Sequence, residues 1–126
     1  MTLHFIGPVD TRQVPDITAS VDVTFQPFEL ALDQPTLWPH GLAVVCASQV
    51  PKQLWSLFDR LGQALRELGL LVETRPYRPH LTLARHAEGA IAPATSAPVV
   101  WQVSRYVLVV STGDRGQRYQ VIRQFG

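Results

Sequence analysis

His80 and Thr82 stand two residues apart in Arg75-Pro76-Tyr77-Arg78-Pro79-His80-Leu81-Thr82-Leu83-Ala84-Arg85. An imidazole titrates near neutral pH and so takes or gives a proton at rest. A threonine hydroxyl donates a hydrogen bond to a phosphoryl oxygen. Pro76 and Pro79 hold the approach extended, because each fixes its own φ and biases the preceding residue away from the helical region. In the β-run that follows, alternation puts His80 and Thr82 on one face and Leu81 and Leu83 on the other. An H-x-T pair on a strand also suits a purely structural role, since threonine favours β structure. The arginines at 75, 78 and 85, with no neighbouring carboxylate to pair with His80, point instead to proton transfer beside a phosphate. One such pair either accepts or donates a proton. Opening a phosphodiester by acid–base catalysis needs both, so a second pair is required.

The N-terminal segment supplies a candidate. Thr2-Leu3 repeats Thr82-Leu83, and aligning the two sets Met1 against Leu81. The residue matching His80 would then lie one position before Met1. His4 shares a strand face with Thr2. As a replacement for the missing histidine it would sit about 6–7 Å out of place, two residues along a strand, so it reads as a residue of the pocket wall. Arg85 reads as a phosphate contact, suited by its planar guanidinium, or as solvated surface. Tyr77 and Trp38 read as nucleobase platforms or as packing. His40 and His86 complete the histidines. They show no H-x-H or H-x-x-x-H spacing and no accompanying Cys or carboxylate set, so no metal site is expected. No Walker pattern, Gly-rich phosphate loop or G-x-S-x-G is present.

The elements that must position these residues follow from pattern. Thr2 to Pro8 predicts a strand closed by a Gly-Pro turn. Asp10 to Ser20 predicts a weak helix interrupted by Pro15. Val21 to Leu32 alternates as a strand, with Pro27 at an edge or bulge. Leu37 to Ala47 predicts a second strand, central after Gly41. Over Pro51 to Leu68, Leu54, Leu57, Phe58, Leu61, Leu65 and Leu68 form one helical stripe, with Ser48 near its start and Gly69 at its C′ position. Leu70 to Glu73 predicts a short strand, and Glu88 to Pro98 a surface loop. Val99 to Thr112 predicts one long strand, Gly113 to Gly116 a turn, and Gln117 to Phe125 the return strand of a hairpin. This order predicts a single α+β domain over residues 1–126 with antiparallel sheet.

Composition agrees with a folded globular chain: 126 residues, 46% hydrophobic and 17% charged. A net charge of +1 excludes a broad basic field, so any anion site is local. The single Cys46 lies in an apolar run and reads as a buried thiol. With no basic leader before a long apolar segment, and no apolar run near the ~20 residues of a membrane span, a cytoplasmic location is expected.

The segment Arg75–Arg85 resembles the second H-x-T-x motif of the 2H phosphoesterases, and specifically of the LigT-like RNA 2′,3′-cyclic phosphodiesterases, also called 2′-5′ RNA ligases. Thr2-Leu3-His4-Phe5-Ile6-Gly7 resembles the end of the first motif. Leu108, Ser111, Gly116, Tyr119 and Phe125 resemble the closing hairpin. The resemblance implies a two-lobed antiparallel fold with pseudo-two-fold symmetry. The first lobe would be incomplete here, because the family's first strand, first helix and first-motif histidine are missing. A fragment or mis-started reading of a longer protein is the expected reason.

The resemblance further implies metal-independent opening of 2′,3′-cyclic phosphates on RNA ends or nucleotides, without a cofactor, and 2′-5′ ligation in reverse. His80, Thr82 and Thr2 would be catalytic; His4, Arg85 and Tyr77 would bind substrate. The alternative is a non-catalytic RNA- or nucleotide-binding relative that has lost one catalytic histidine.

Overall fold

The computed structural model describes residues 1–94, 96–114 and 116–126. Arg115, in the turn expected at 113–116, lies outside the described residues. The remaining order is a 3-10 turn (Thr11–Gln13), α1 (Val14–Ser20), β1 (Phe28–Leu32), β2 (Gln34–Trp38), β3 (Leu42–Cys46), α2 (Lys52–Glu67), β4 (His80–Ala84), β5 (Val99–Val103), β6 (Tyr106–Ser111) and β7 (Tyr119–Phe125). The strands form the ladders β1–β5, β2–β3–β4 and β6–β7, all antiparallel. The chain is α+β, as the pattern predicts.

α2 is the shared support. Leu54, Leu57, Leu61 and Leu65 are each at most 5% exposed, and each such burial contributes about 1.5–3 kcal/mol. That sum, rather than capping, holds the helix: Pro51 stands at its N-cap without a side-chain bond. Ser48 does not cap it either. Its backbone N–H donates to Asp33 Oδ1 at 2.8 Å and its hydroxyl to Oδ2, tying the end of β3 to the β1–β2 corner. Gly69, at φ +75°, takes the left-handed conformation that ends the helix. Leu57, Leu61 and Leu65 join Ile17, Val21, Tyr106 and Phe125 in one cluster. Leu54 joins Phe28, Leu30, Leu32 and Val103 in a second.

Several expected elements differ. Thr2–Pro8 is not a strand: a strand needs a ladder partner, and among the described residues this segment has none. It runs instead along α2, with Leu3 and Ile6 packed on the first cluster. Pro15 starts α1 rather than breaking it, because the first turn does not need its N–H. Asp10 and Gln13 close a capping box just before it. Residues 21–27 are loop, held by Tyr106, whose hydroxyl donates to Val21 O at 2.9 Å and accepts from Val23 N at 3.0 Å.

The run 37–47 is two strands of a hairpin. Pro39-His40-Gly41 reverses the chain with φ +63° at His40 and +66° at Gly41. β3 is nonetheless central. Residues 70–73 form no strand, and the run 99–112 breaks at Ser104-Arg105, sending β5 to β1 and β6 to β7. Val99, Val107, Val109 and Val121 remain exposed on these last strands. Among the described residues no helix is long and apolar enough to cross a membrane.

Candidate active site

β4 begins at His80 and pairs with β3, setting His80 opposite Cys46 and Thr82 opposite Val44. β3 pairs in turn with β2, setting Val44 opposite Thr36 and Leu42 opposite Trp38. Paired residues share a face. His80, Thr82, Val44, Thr36 and Trp38 therefore lie on one side of this sheet. Val45, on the other side, packs against the cluster of Leu54. α2 backs the sheet, and the histidine and threonine face away from it.

Pro79 is buried and anchors the start of β4. His80 Nδ1 lies 2.7 Å from the Arg78 carbonyl oxygen. A carbonyl only accepts, so Nδ1 carries the hydrogen and Nε2 keeps a free lone pair. That tautomer presents a base when neutral and an acid when protonated. The His80 ring lies 4.5 Å from the Trp38 ring at 53°, and the Arg78 guanidinium carbon lies 5.1 Å from the same indole. Thr82 is exposed, as is Arg85 just beyond the strand. Cys46 is half-buried, and burial pushes its thiol up against a smaller lowering by Arg78.

The N-terminal segment and Tyr77 are tied together through α2. His4 stacks on Phe58 at 4.0 Å and 18°, and Phe58 stacks on Tyr77 at 4.1 Å and 11°. Tyr77 meets Trp55 edge-on at 5.9 Å, and its hydroxyl donates to the Thr2 carbonyl oxygen at 3.4 Å. Burial pushes the Tyr77 phenol far above its ordinary range, so it stays protonated. Thr2 itself is exposed.

His4 is turned into the fold. Its Nε2–H donates to the Phe58 carbonyl oxygen at 2.8 Å, and its Nδ1 is buried without a partner among the described residues. Burial lowers its pKa first; the Phe58 carbonyl opposes that, Arg66 adds to it and Asp59 opposes it. Gly62 makes the room, since a Cβ there would come within 3.2 Å of His4 Cε1. The structure thus brings His4 and Tyr77 into one aromatic stack. His4 spends its donor nitrogen and one face of its ring on α2, and Tyr77 spends one face on Phe58. This is a different setting from the pocket wall that the alternation implied.

Among the described residues no group of three or more His, Cys, Asp or Glu could hold a metal. An open depression of about 370 Å³, lined by Ser20, Asp22, Thr24, Arg60 and Glu67 among others, contains none of the motif residues. Sequence reasoning underrated Trp38 because it ran β2 and β3 together. The Pro-x-Gly at 39–41 was the available signal. Phe58 reads in the sequence only as a member of the helical stripe, and Gly62 carries no reading there; a glycine on the buried side of a helix signals a close approach.

A sequence model of the 2′-5′ RNA ligase superfamily matches residues 1–115. The RNA 2′,3′-cyclic phosphodiesterase of Escherichia coli (strain K12) is 28% identical over 129 residues, covering 99% of this chain and 73% of that protein. The enzyme of the same name from Bacillus subtilis (strain 168) is 28% identical over 137 residues, covering 99% of this chain and 74% of its own. The crystal structure of E. coli LigT complexed with 3′-AMP superposes with a TM-score of 0.86 at 28% identity, covering 98% of this chain and 74% of that one. A crystal structure described as a phosphoesterase gives 0.83 at 27% identity, over 98% of this chain and 74% of its own. By sequence and by fold, the chain belongs to the 2′-5′ RNA ligase superfamily.

Proposed function

We propose that this chain acts on 2′,3′-cyclic phosphates at RNA ends or on nucleotides, opening them to 2′-phosphomonoesters without a metal ion. The observation that carries this reading is the His80–Arg78 carbonyl bond of 2.7 Å, which leaves Nε2 as the reactive nitrogen. Thr82, on the same face of β4, offers its hydroxyl to a non-bridging phosphoryl oxygen as charge develops there. Water attacks phosphorus, the bond to O3′ breaks, one group takes the proton of water and another protonates O3′. His80 supplies one of these transfers. Thr2, with its hydroxyl exposed, is the proposed second phosphate contact, and Arg85 a further one. With a 5′ hydroxyl in place of water as the nucleophile, the same displacement breaks the bond to O3′, protonates it, and joins the two ends through a 2′-5′ phosphodiester. The relatives named RNA 2′,3′-cyclic phosphodiesterase support the substrate, and the E. coli LigT structure with 3′-AMP supports nucleotide binding.

One observation favours a second reading. His4, the histidine of the Thr2 segment, bonds to Phe58 and does not stand ready as a partner for His80. On this reading the chain binds nucleotide without turning it over. Incubation with a 2′,3′-cyclic nucleotide in EDTA separates the two. Formation of the 2′-phosphomonoester, reduced by about 10²–10⁴-fold in His80→Ala, supports the phosphodiesterase. Saturable binding without product establishes the binding protein instead, and neither binding nor product overturns both.

A further inference from the structure

Trp38 reaches His80 from two strands away. It stands at the end of β2, and β3 lies between β2 and β4. Val44, on the intervening strand and the same face, is only 1% exposed. His80, Arg78 and Trp38 close a triangle. The Arg78 carbonyl accepts from His80 Nδ1 at 2.7 Å, the Arg78 guanidinium lies over the indole, and the indole meets the imidazole at 4.5 Å.

Packing alone does not account for an indole here. The Trp38 Nε1 is buried without a hydrogen-bond partner among the described residues. An unmade hydrogen bond is a cost that phenylalanine or leucine would not carry while still covering apolar neighbours. The indole does supply a broad rigid wall on one side of His80. The hydrogen bond to Arg78 fixes which ring nitrogen bears the proton, but one bond leaves the ring free to swing about its side-chain torsions. The wall removes that freedom.

We propose that Trp38 is a positioning residue for His80: with the Arg78 carbonyl it clamps the imidazole in one orientation and tautomer, with Nε2 presented outward. Only the consequence for turnover rests on the phosphodiesterase reading; the clamp itself does not. A reacting group displaced by about 1 Å loses on the order of 10²-fold in rate. Part of that loss is therefore expected when the wall is removed.

The test is the ¹H–¹⁵N spectrum of the His80 imidazole, assigned by its absence in His80→Gln, in the wild type and in Trp38→Ala, Trp38→Leu and Trp38→Phe, with turnover measured alongside. The wild type shows one tautomer, protonated at Nδ1. Trp38→Ala and Trp38→Leu show averaged nitrogen shifts, while Trp38→Phe keeps most of the wild-type spectrum. In turnover, kcat falls on the order of tenfold in Ala and Leu with KM nearly unchanged, and Phe restores most of it. Trp38→Leu and Trp38→Phe keep a sizeable apolar side chain at this position, so they decide the matter even where the alanine variant unfolds. Unaltered nitrogen shifts in the folded leucine variant overturn the proposal, and so does a rise in KM alone, which would make Trp38 a substrate contact. The spectrum needs no turnover. An inactive wild type whose His80 spectrum still depends on Trp38 overturns the phosphodiesterase reading and supports the clamp.

Discussion

Thr2 and Tyr77, 75 residues apart in sequence, are joined by one hydrogen bond from the tyrosine hydroxyl to the threonine carbonyl oxygen, 3.4 Å long. Tyr77 stands three residues before His80, so this bond and the stack on Phe58 set the spacing between the two motif segments. The two contributions separate by mutation. Tyr77→Phe keeps the stack and loses a long, exposed bond, costing about 0.5 kcal/mol, the low end for a hydrogen bond. Tyr77→Ala also loses the stack and destabilises by about 2–3 kcal/mol, below the range for a fully buried ring. Urea unfolding measures both. Equal losses in the two variants would show that the hydroxyl, not the ring, joins the segments.

His4 gives a pH dependence with a definite sign. Burial lowers its pKa below the ordinary histidine value of about 6.5. The unfolded chain therefore binds the proton first as pH falls, and stability declines from about pH 6.5 down to the lower folded value. Above pH 6.5 both states are neutral and His4 contributes no slope. Asp10 and Glu73, lowered mainly by Arg12 and Arg75, contribute stability that is lost as pH falls through and below the ordinary carboxylate range, beneath the interval from pH 7 to pH 5. His4→Gln keeps a donor for the Phe58 carbonyl and removes the titration. Its melting temperature relative to wild type should rise between pH 7 and pH 5. A difference that stays flat over that interval rules out His4 as the source.

The residues that carry the proposed chemistry were legible because their signals are local. Prolines at 76 and 79 dictate an extended entry, and strand alternation sets His80 with Thr82. The helical stripe of α2 was legible for the same reason, since a period of 3.6 residues needs no partner to be recognised. Contacts between distant segments left no comparable mark. Thr2–Pro8 has strand composition, but composition cannot supply a neighbouring strand, and the segment lies on α2 instead. Val99–Thr112 reads as one apolar run, because a break at Ser104-Arg105 between two ladders leaves hydrophobicity unchanged on either side. Trp38 was misplaced for want of one turn: only after Pro39-His40-Gly41 folds β2 back on β3 does its indole come over His80.

Gly62 and His4 should be coupled. A methyl at position 62 would press on His4 Cε1 at 3.2 Å, Arg66 Nη1 at 3.3 Å and His4 Nε2 at 3.4 Å. In an unobstructed helix interior, glycine to alanine gains about 1 kcal/mol. In the wild-type background that gain is offset by moving the His4 ring off Phe58. With His4→Ala only the mobile end of the Arg66 side chain remains near the methyl, and most of the gain returns. A double-mutant cycle by chemical unfolding should give a coupling of at least about 0.5 kcal/mol. Additive effects would mean that the glycine serves no close approach of the histidine.

Gly41 tests whether the β2–β3 turn reaches the candidate site. Its φ of +66° is left-handed, a conformation that costs a residue with a Cβ about 1–2 kcal/mol. A Cβ would also meet the Glu88 carboxyl carbon at 2.5 Å and the Ala87 backbone nitrogen at 2.8 Å. The glutamate side chain can swing away, but the Ala87 nitrogen cannot move without breaking its own hydrogen bond to the Gly41 carbonyl, 2.9 Å long. Gly41→Ala is therefore expected to destabilise by about 2–3 kcal/mol, adding one lost hydrogen bond to the backbone strain. The turn also sets where β2 ends and where Trp38 points. The same variant should shift the His80 imidazole resonances under conditions where the chain is still folded. Loss of stability with those resonances unmoved would confine the turn to a structural role and leave the placement of Trp38 to the β2–β3 ladder alone.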